Sequence, residues 1–235
     1  IGIITFQHAH NFGACMQLYA LQQYLTGRGH QVQVINYRQP AIEKSYRIVK
    51  RPPSRRLLSK VYYLMKYGLT AIKKPYLLRR RGNYQAFAAR YFRLTKPYHS
   101  FKELCAADFD LDCLVMGSDQ IWNSGITKKL DPAYFGAFVP DRTVRISYAA
   151  SIGSEKIPEN EEIVFKCLLR KVDYISVREA TAQKELEKLT DKPVVQVLDP
   201  TLLVEKDIYN AFRLENRFKG DYIYVHVHHY TAKSP

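Results

Sequence analysis

The chain has 235 residues, 46% hydrophobic and 25% charged, the balance of an ordinary globular protein with room for one large domain and part of another. No apolar run approaches the ~20 residues that cross a bilayer, and four dispersed cysteines without a C-x-x-C pair argue against a disulfide framework or a zinc site and for a reducing cytoplasm. The formal charge of +14 is local: residues 44–102 hold 17 of the 36 Lys and Arg and no acid, so the other 19 bases face 22 acids.

"IGIITF" (1–6) reads as a short strand without a leader before it, and "QHAHNFG" (7–13) as a polar loop. Apolar residues at 14, 18, 21 and 25 predict a helix that "TGRGH" stops with Gly27 and Gly29. "QVQVINY" (31–37) is the next strand, and strand–helix–strand is how a parallel sheet begins. The basic segment follows, broken by "RPPS" (51–54), with helices near 56–67 and 80–93. It is either a solvated helical face or an attractor of phosphate-bearing partners. Ser100 and Glu103 are spaced as a capping box. Strands are expected at 112–117, 145–151, 172–177, 193–198 and 221–227, with an amphipathic helix over 181–189. This alternation predicts an α/β protein with a doubly wound, Rossmann-like parallel sheet. Residues 1–215 would form one domain with 44–102 as a basic helical insertion, and 216–235 would begin a second Rossmann-like domain.

Ligands of open parallel sheets bind beyond the carboxyl ends of the strands. "HAHNFG", "GSDQIWN", "SIGSE", "SVRE" and "DPT" follow five different strands and should meet along that edge as one polar rim. Trp122, the single tryptophan, could give the rim an apolar wall or a face for a sugar ring. Each cluster also has a plainer reading. Gly13 could serve a turn or present amides to an anion; Asp119 could cap a turn or act as a base. Arg178 and Glu179 could be a structural ion pair, and Asp199-Pro200-Thr201 a turn. His8 and His10 fall on one side of an extended segment, a pattern that suits a metal. With no acidic partner evident, imidazoles used for hydrogen bonding or acid–base work are the better reading.

"ITFQHAHNFGACMQLYALQQYL", "LVMGSDQIWN", "ISYAASIG", "DYISVRE" and "VVQVLDPTLL", in this order, resemble the polysaccharide pyruvyl transferase family over nearly the whole chain. The resemblance implies transfer of a pyruvyl group from phosphoenolpyruvate to two sugar hydroxyls as a ketal, in cell-surface or exopolysaccharide biosynthesis. It implies a two-domain GT-B-like architecture of which this chain is the N-terminal half, with no cofactor beyond the donor substrate and no metal. Asp119 and His10 would be catalytic. Asn11, Gly13, Gln17, Ser118, Gln120, Trp122, Asn123, Ser151 and Arg178 would bind substrate. The acceptor would be a saccharide, lipid-pyrophosphate-linked where the basic segment takes part, at the inner face of the membrane. Nucleic acid is not expected, since the aromatics of that segment fall at helical, core-facing spacing. The chain reaches Pro235 just after the strand expected at 221–227, so the second domain would be truncated or continue beyond it, and donor-phosphate residues have no counterpart here. A GT-B glycosyltransferase, a non-catalytic saccharide-binding remnant and a metal-dependent hydrolase are the rival readings.

Overall fold

The computed structural model describes residues 1–47, 61–62, 65, 75–213, 220–223 and 225. Six strands, β1 (Gly2–Ile4), β2 (Gln33–Val34), β3 (Cys113–Gly117), β4 (Val144–Ala150), β5 (Tyr174–Val177) and β6 (Val194–Gln196), form one sheet in the order β2-β1-β3-β4-β5-β6. Every pairing is parallel. Ile3, Ile4, Leu114 and Met116 in its centre are wholly buried, as strands are when helices cover both faces.

The order reverses between β1 and β3. With right-handed crossovers this sets α1 (Phe12–Gly27) on the opposite face from the helices that connect the later strands. That reversal opens a crevice between the ends of β1 and β3. The other helices are α2 (Pro40–Ser45), α3 (Pro75–Tyr91), α4 (Phe101–Cys105), α5 (Ser124–Thr127), α6 (Glu162–Leu169) and α7 (Ala180–Leu186).

The spacing of α1 predicts one apolar stripe, yet nine successive residues, Ala14–Gln22, are buried. The reason is α3, the longest described helix of the basic segment. Tyr19 packs edge-on against Phe87 and Tyr91, and the Gln22 amide donates to the Tyr91 carbonyl (2.8 Å) while accepting from Arg93 N–H (3.0 Å). Covering α1 on its outer side leaves α3 itself with no fully buried residue. Of the helix expected near 56–67 only 61, 62 and 65 are described, and these are helical. Ser100 caps α4 by accepting from Glu103 N–H (3.2 Å), and Glu103 reaches back to His99 N–H (2.8 Å).

The chain divides into a first unit, Ile1–Val204, and a second, Glu205–Pro235. The break falls earlier than the boundary expected at 215. In the second unit a 3₁₀ stretch spans Lys206–Phe212. Of the strand expected at 221–227, residues 221–223 and 225 are not in a strand and the others lie outside the described residues.

Candidate functional site at the β1–β3 switch point

Asn11 follows β1 and caps α1, its Oδ1 accepting from Ala14 N–H at 3.3 Å, with Asn11, Phe12 and Gly13 all exposed. Six residues on, Gln17 is buried. Its amide donates to Thr5 Oγ1 (3.3 Å) and the Ala14 carbonyl (3.1 Å), and its Oε1 accepts from Ser118 N–H (3.0 Å). It thus ties the ends of β1 and β3 together at the switch point. β3 ends at Gly117, with φ +148°, where the backbone passes against the Tyr148 carbonyl of β4.

Asp119 stands just past that end. Its Oδ1 accepts from Gln120 N–H (2.8 Å), and its carbonyl accepts from Ile121 N–H (2.7 Å) and Ser151 N–H (3.0 Å). Burial raises the pKa of its carboxyl, outweighing the Gln120 amide and Arg178, while Asp199 raises it further. Beside it Gln120 accepts from the Asn123 amide (2.8 Å), and Asn123 Oδ1 caps α5 at Gly125 N–H (2.9 Å). Gly153, at φ +66°, covers this pair so closely that a Cβ would lie 2.4 Å from Asn123 Nδ2. Next along the edge, Arg178 ion-pairs with Glu179 (3.0 Å) and Asp199 (3.2 Å). Burial opposes its charge, but the two carboxylates prevail and raise its pKa. Asp199 also accepts from Ser118 Oγ (3.2 Å), Thr201 N–H (3.0 Å) and Thr201 Oγ1 (2.8 Å), joining the ends of β3, β5 and β6.

The second wall is basic and aromatic. The His10 ring lies parallel to Tyr84 (5.6 Å between centroids, 6°) and against Tyr46 (4.8 Å), while Arg80 donates to the His10 carbonyl (3.0 Å) and approaches the Tyr84 ring. Burial, then Arg81, Arg80 and Arg38, lowers the His10 pKa, so its ring is held neutral. Tyr46 connects the two walls: burial raises its pKa first, Asp119 adds to this and Arg80 opposes it. Through Tyr46, Arg80, Arg81 and Tyr84 the described part of the basic segment therefore joins the rim.

The expected convergence occurs for Asn11, Asp119, Gln120, Asn123 and Arg178, which share the carboxyl edge of the sheet. Three groups of residues are placed otherwise than expected. Trp122 is 2% exposed, stacked on Phe135 (5.2 Å) and edge-on to Phe165, with its indole N–H given to the Tyr134 carbonyl (2.9 Å). It is core, because an aromatic that finds a carbonyl for its one polar atom gains more from burial than from a wet rim. Gln17, Ser118 and Ser151 are also buried, and their polar atoms are committed to the loops they join. They shape the rim without facing a ligand. His8 sits in a turn, closed by Ala9 N–H to the Phe6 carbonyl (2.9 Å), and His10 in the bend just after it, rather than on an extended segment. Among the described residues no group of three or more His, Cys, Asp or Glu is placed to hold a metal. Because Trp122 is the one tryptophan, emission should be blue-shifted, resist acrylamide quenching and stay unchanged when saccharide is added. A saccharide-dependent shift would restore the stacking role.

Arg38, Tyr46, Tyr84 and Asp199 were not singled out as ligand contacts from the sequence. Arg38 had a signal: it directly follows the second expected strand, at the same edge as the five polar clusters. Tyr46 and Tyr84 had none, since only the fold of the basic segment brings them to the rim.

No described helix is long and apolar enough to cross a membrane. Neither a curated protein nor a solved structure matches the chain. The family model of polysaccharide pyruvyl transferases matches residues 11–233, from the cap of α1 through the rim loops that follow β3, β4, β5 and β6. The protein belongs to the polysaccharide pyruvyl transferase family.

Proposed function

We propose that the chain transfers the pyruvyl group of phosphoenolpyruvate to two hydroxyls of a saccharide, lipid-pyrophosphate-linked in keeping with the basic segment, during cell-surface polysaccharide synthesis at the inner face of the membrane. The observation that carries this reading is Asp119, a partly buried carboxyl with a raised pKa at the switch point, set across from a neutral histidine and an arginine-rich helix. A carboxylate whose proton affinity is raised is a better base for a sugar hydroxyl.

In the reaction, C3 of the donor gains a proton and C2 becomes oxocarbenium-like. One sugar oxygen adds to C2 and gives its proton to Asp119. The C2–O bond to phosphate breaks, and the second sugar oxygen adds to C2 and passes its proton to the departing phosphate, leaving a ketal and inorganic phosphate, while the proton taken by Asp119 balances the one gained at C3. Asn11, Gln120 and Asn123 are the groups we assign to the acceptor hydroxyls. His10, held neutral, suits hydrogen bonding better than resident acid catalysis. Cations at the rim favour the departing phosphate.

The test is incubation of the protein with phosphoenolpyruvate and free or lipid-linked saccharides. Phosphate should appear only with acceptor present, matched by an acid-labile product heavier by pyruvate less water. Saccharide binding without phosphate release would mark a binding remnant, and nucleotide release from a sugar nucleotide would mark a glycosyltransferase.

A further inference from the structure

Behind the rim, between the β1–α1 turn, the end of β2 and α3, lies a cavity of about 160 Å³ lined by His8, His10, Arg38, Tyr84 and Gln85 among others. We infer that this recess binds a small phosphate-class anion, a function separate from the Asp119–Arg178 edge and independent of whether pyruvyl transfer occurs.

Two groups in it are under-partnered among the described residues. Both ring nitrogens of His8 are buried without a hydrogen bond of standard geometry among the described residues. Arg38 is half-buried, and no described carboxylate forms an ion pair with it. A buried donor without an acceptor and a guanidinium without a counter-ion are each costly. Here both face one cavity, which makes a bound anion the economical explanation.

The surrounding field has the same sign. Arg38, Arg80 and Arg81 all act on His10, and Arg38 acts on His8; burial first and then Arg38 drive the His8 pKa down to about 3, the Gln39 backbone offsetting only part. Among the described residues Glu43 is the one carboxylate that bears on Arg38, and it does so without forming an ion pair. A planar fork beside imidazole donors suits phosphate oxygens, and the size of the cavity restricts the ligand to a single phosphate group or a short phosphorylated acid.

The experiment titrates inorganic phosphate into the full chain, followed by calorimetry and by histidine ring NMR. Saturable binding that moves the His8 and His10 ring signals is expected. Arg38→Gln should weaken it roughly tenfold or more, the worth of one charge-assisted hydrogen-bonded contact. Because Arg38 is half-buried, Arg81→Gln on the exposed face of α3 gives a second variant free of folding loss, and it should weaken phosphate severalfold. Absence of phosphate binding, or wild-type affinity in folded Arg38→Gln, overturns the inference. Competition then assigns the source: displacement by phosphoenolpyruvate identifies the donor's phosphate, and displacement by inorganic pyrophosphate but not phosphoenolpyruvate identifies the acceptor side. A protein that binds phosphate here yet transfers no pyruvate would refute the proposed reaction and leave this site standing.

Discussion

Gly117→Ala should lose most of its soluble, folded protein. Gly117 ends β3 with φ +148°, outside the range an alanine adopts without strain, and it pairs directly with Tyr148 of β4. A Cβ would fall 2.0 Å from the Tyr148 carbonyl oxygen and 3.0 Å from its carbon. Both are backbone atoms, so no rotamer change can relieve the contact. The central ladder would have to part, and β4 is already committed there: it carries an irregularity between Ser147 and Ala150, with Ala149 at φ +51°. Backbone strain of about 1–3 kcal/mol and overpacking of a similar size add up to several kcal/mol. That is a large share of the roughly 5–15 kcal/mol that holds a domain together. In a unit of this size the midpoint should drop by about 10 °C or more, if any folded protein is recovered. Thermal and urea denaturation of Gly117→Ala against wild type measure it. A midpoint within a few degrees of wild type would show that the switch point yields where this packing says it cannot.

The close approach at Gly117 could not be read from "LVMGSDQ", whereas the strand before it could. Strand positions follow from apolar, β-branched runs, which report burial on both faces of a parallel sheet; five of the six strands fall within the expected stretches, and β4 begins one residue earlier, at Val144. The carboxyl-edge rule then placed Asn11, Asp119, Gln120, Asn123 and Arg178 together, since it needs only strand direction. It fails to say which way each side chain turns. Trp122 and Ser118 follow the same strand as Asp119, but one stacks on Phe135 and the other bonds Asp199. Those choices depend on partners far along the chain. Asp199 looked like a turn residue and does cap a turn through one oxygen; the other oxygen gathers Ser118 and Arg178. The basic segment was the hardest to judge. Its charge suggested either solvent or a ligand, and only the docking of α3 on α1 puts Arg80 on the His10 carbonyl.

Asp119→Asn should lower pyruvyl transfer by about a hundredfold or more while leaving the fold at least as stable as wild type at neutral pH. The rate loss follows from the proposed role, for a positioned base is worth about 10²–10⁴ in rate. If the loss falls on kcat with acceptor KM little changed, Asp119 takes the proton; if KM rises with kcat unchanged, it only binds. The stability half follows from the direction of the pKa. The folded-state pKa lies above the ordinary 3.8, chiefly through burial, so the unfolded chain gives up this proton first as pH rises. Stability from this group is therefore greatest below about 3.8, falls as pH climbs through the folded pKa, and stays lowered above it. Asparagine keeps an oxygen for Gln120 N–H and carries no charge to desolvate. The variant should thus match wild type in acid, where the carboxyl is protonated in both states, and overtake it as pH increases. Denaturation of both proteins across that range, beside the rate measurement, gives two readouts of one side chain. A variant that is both slower and less stable at neutral pH would mean that Asp119 holds the loop through its contacts to Gln120 and Arg178, and that the base lies elsewhere.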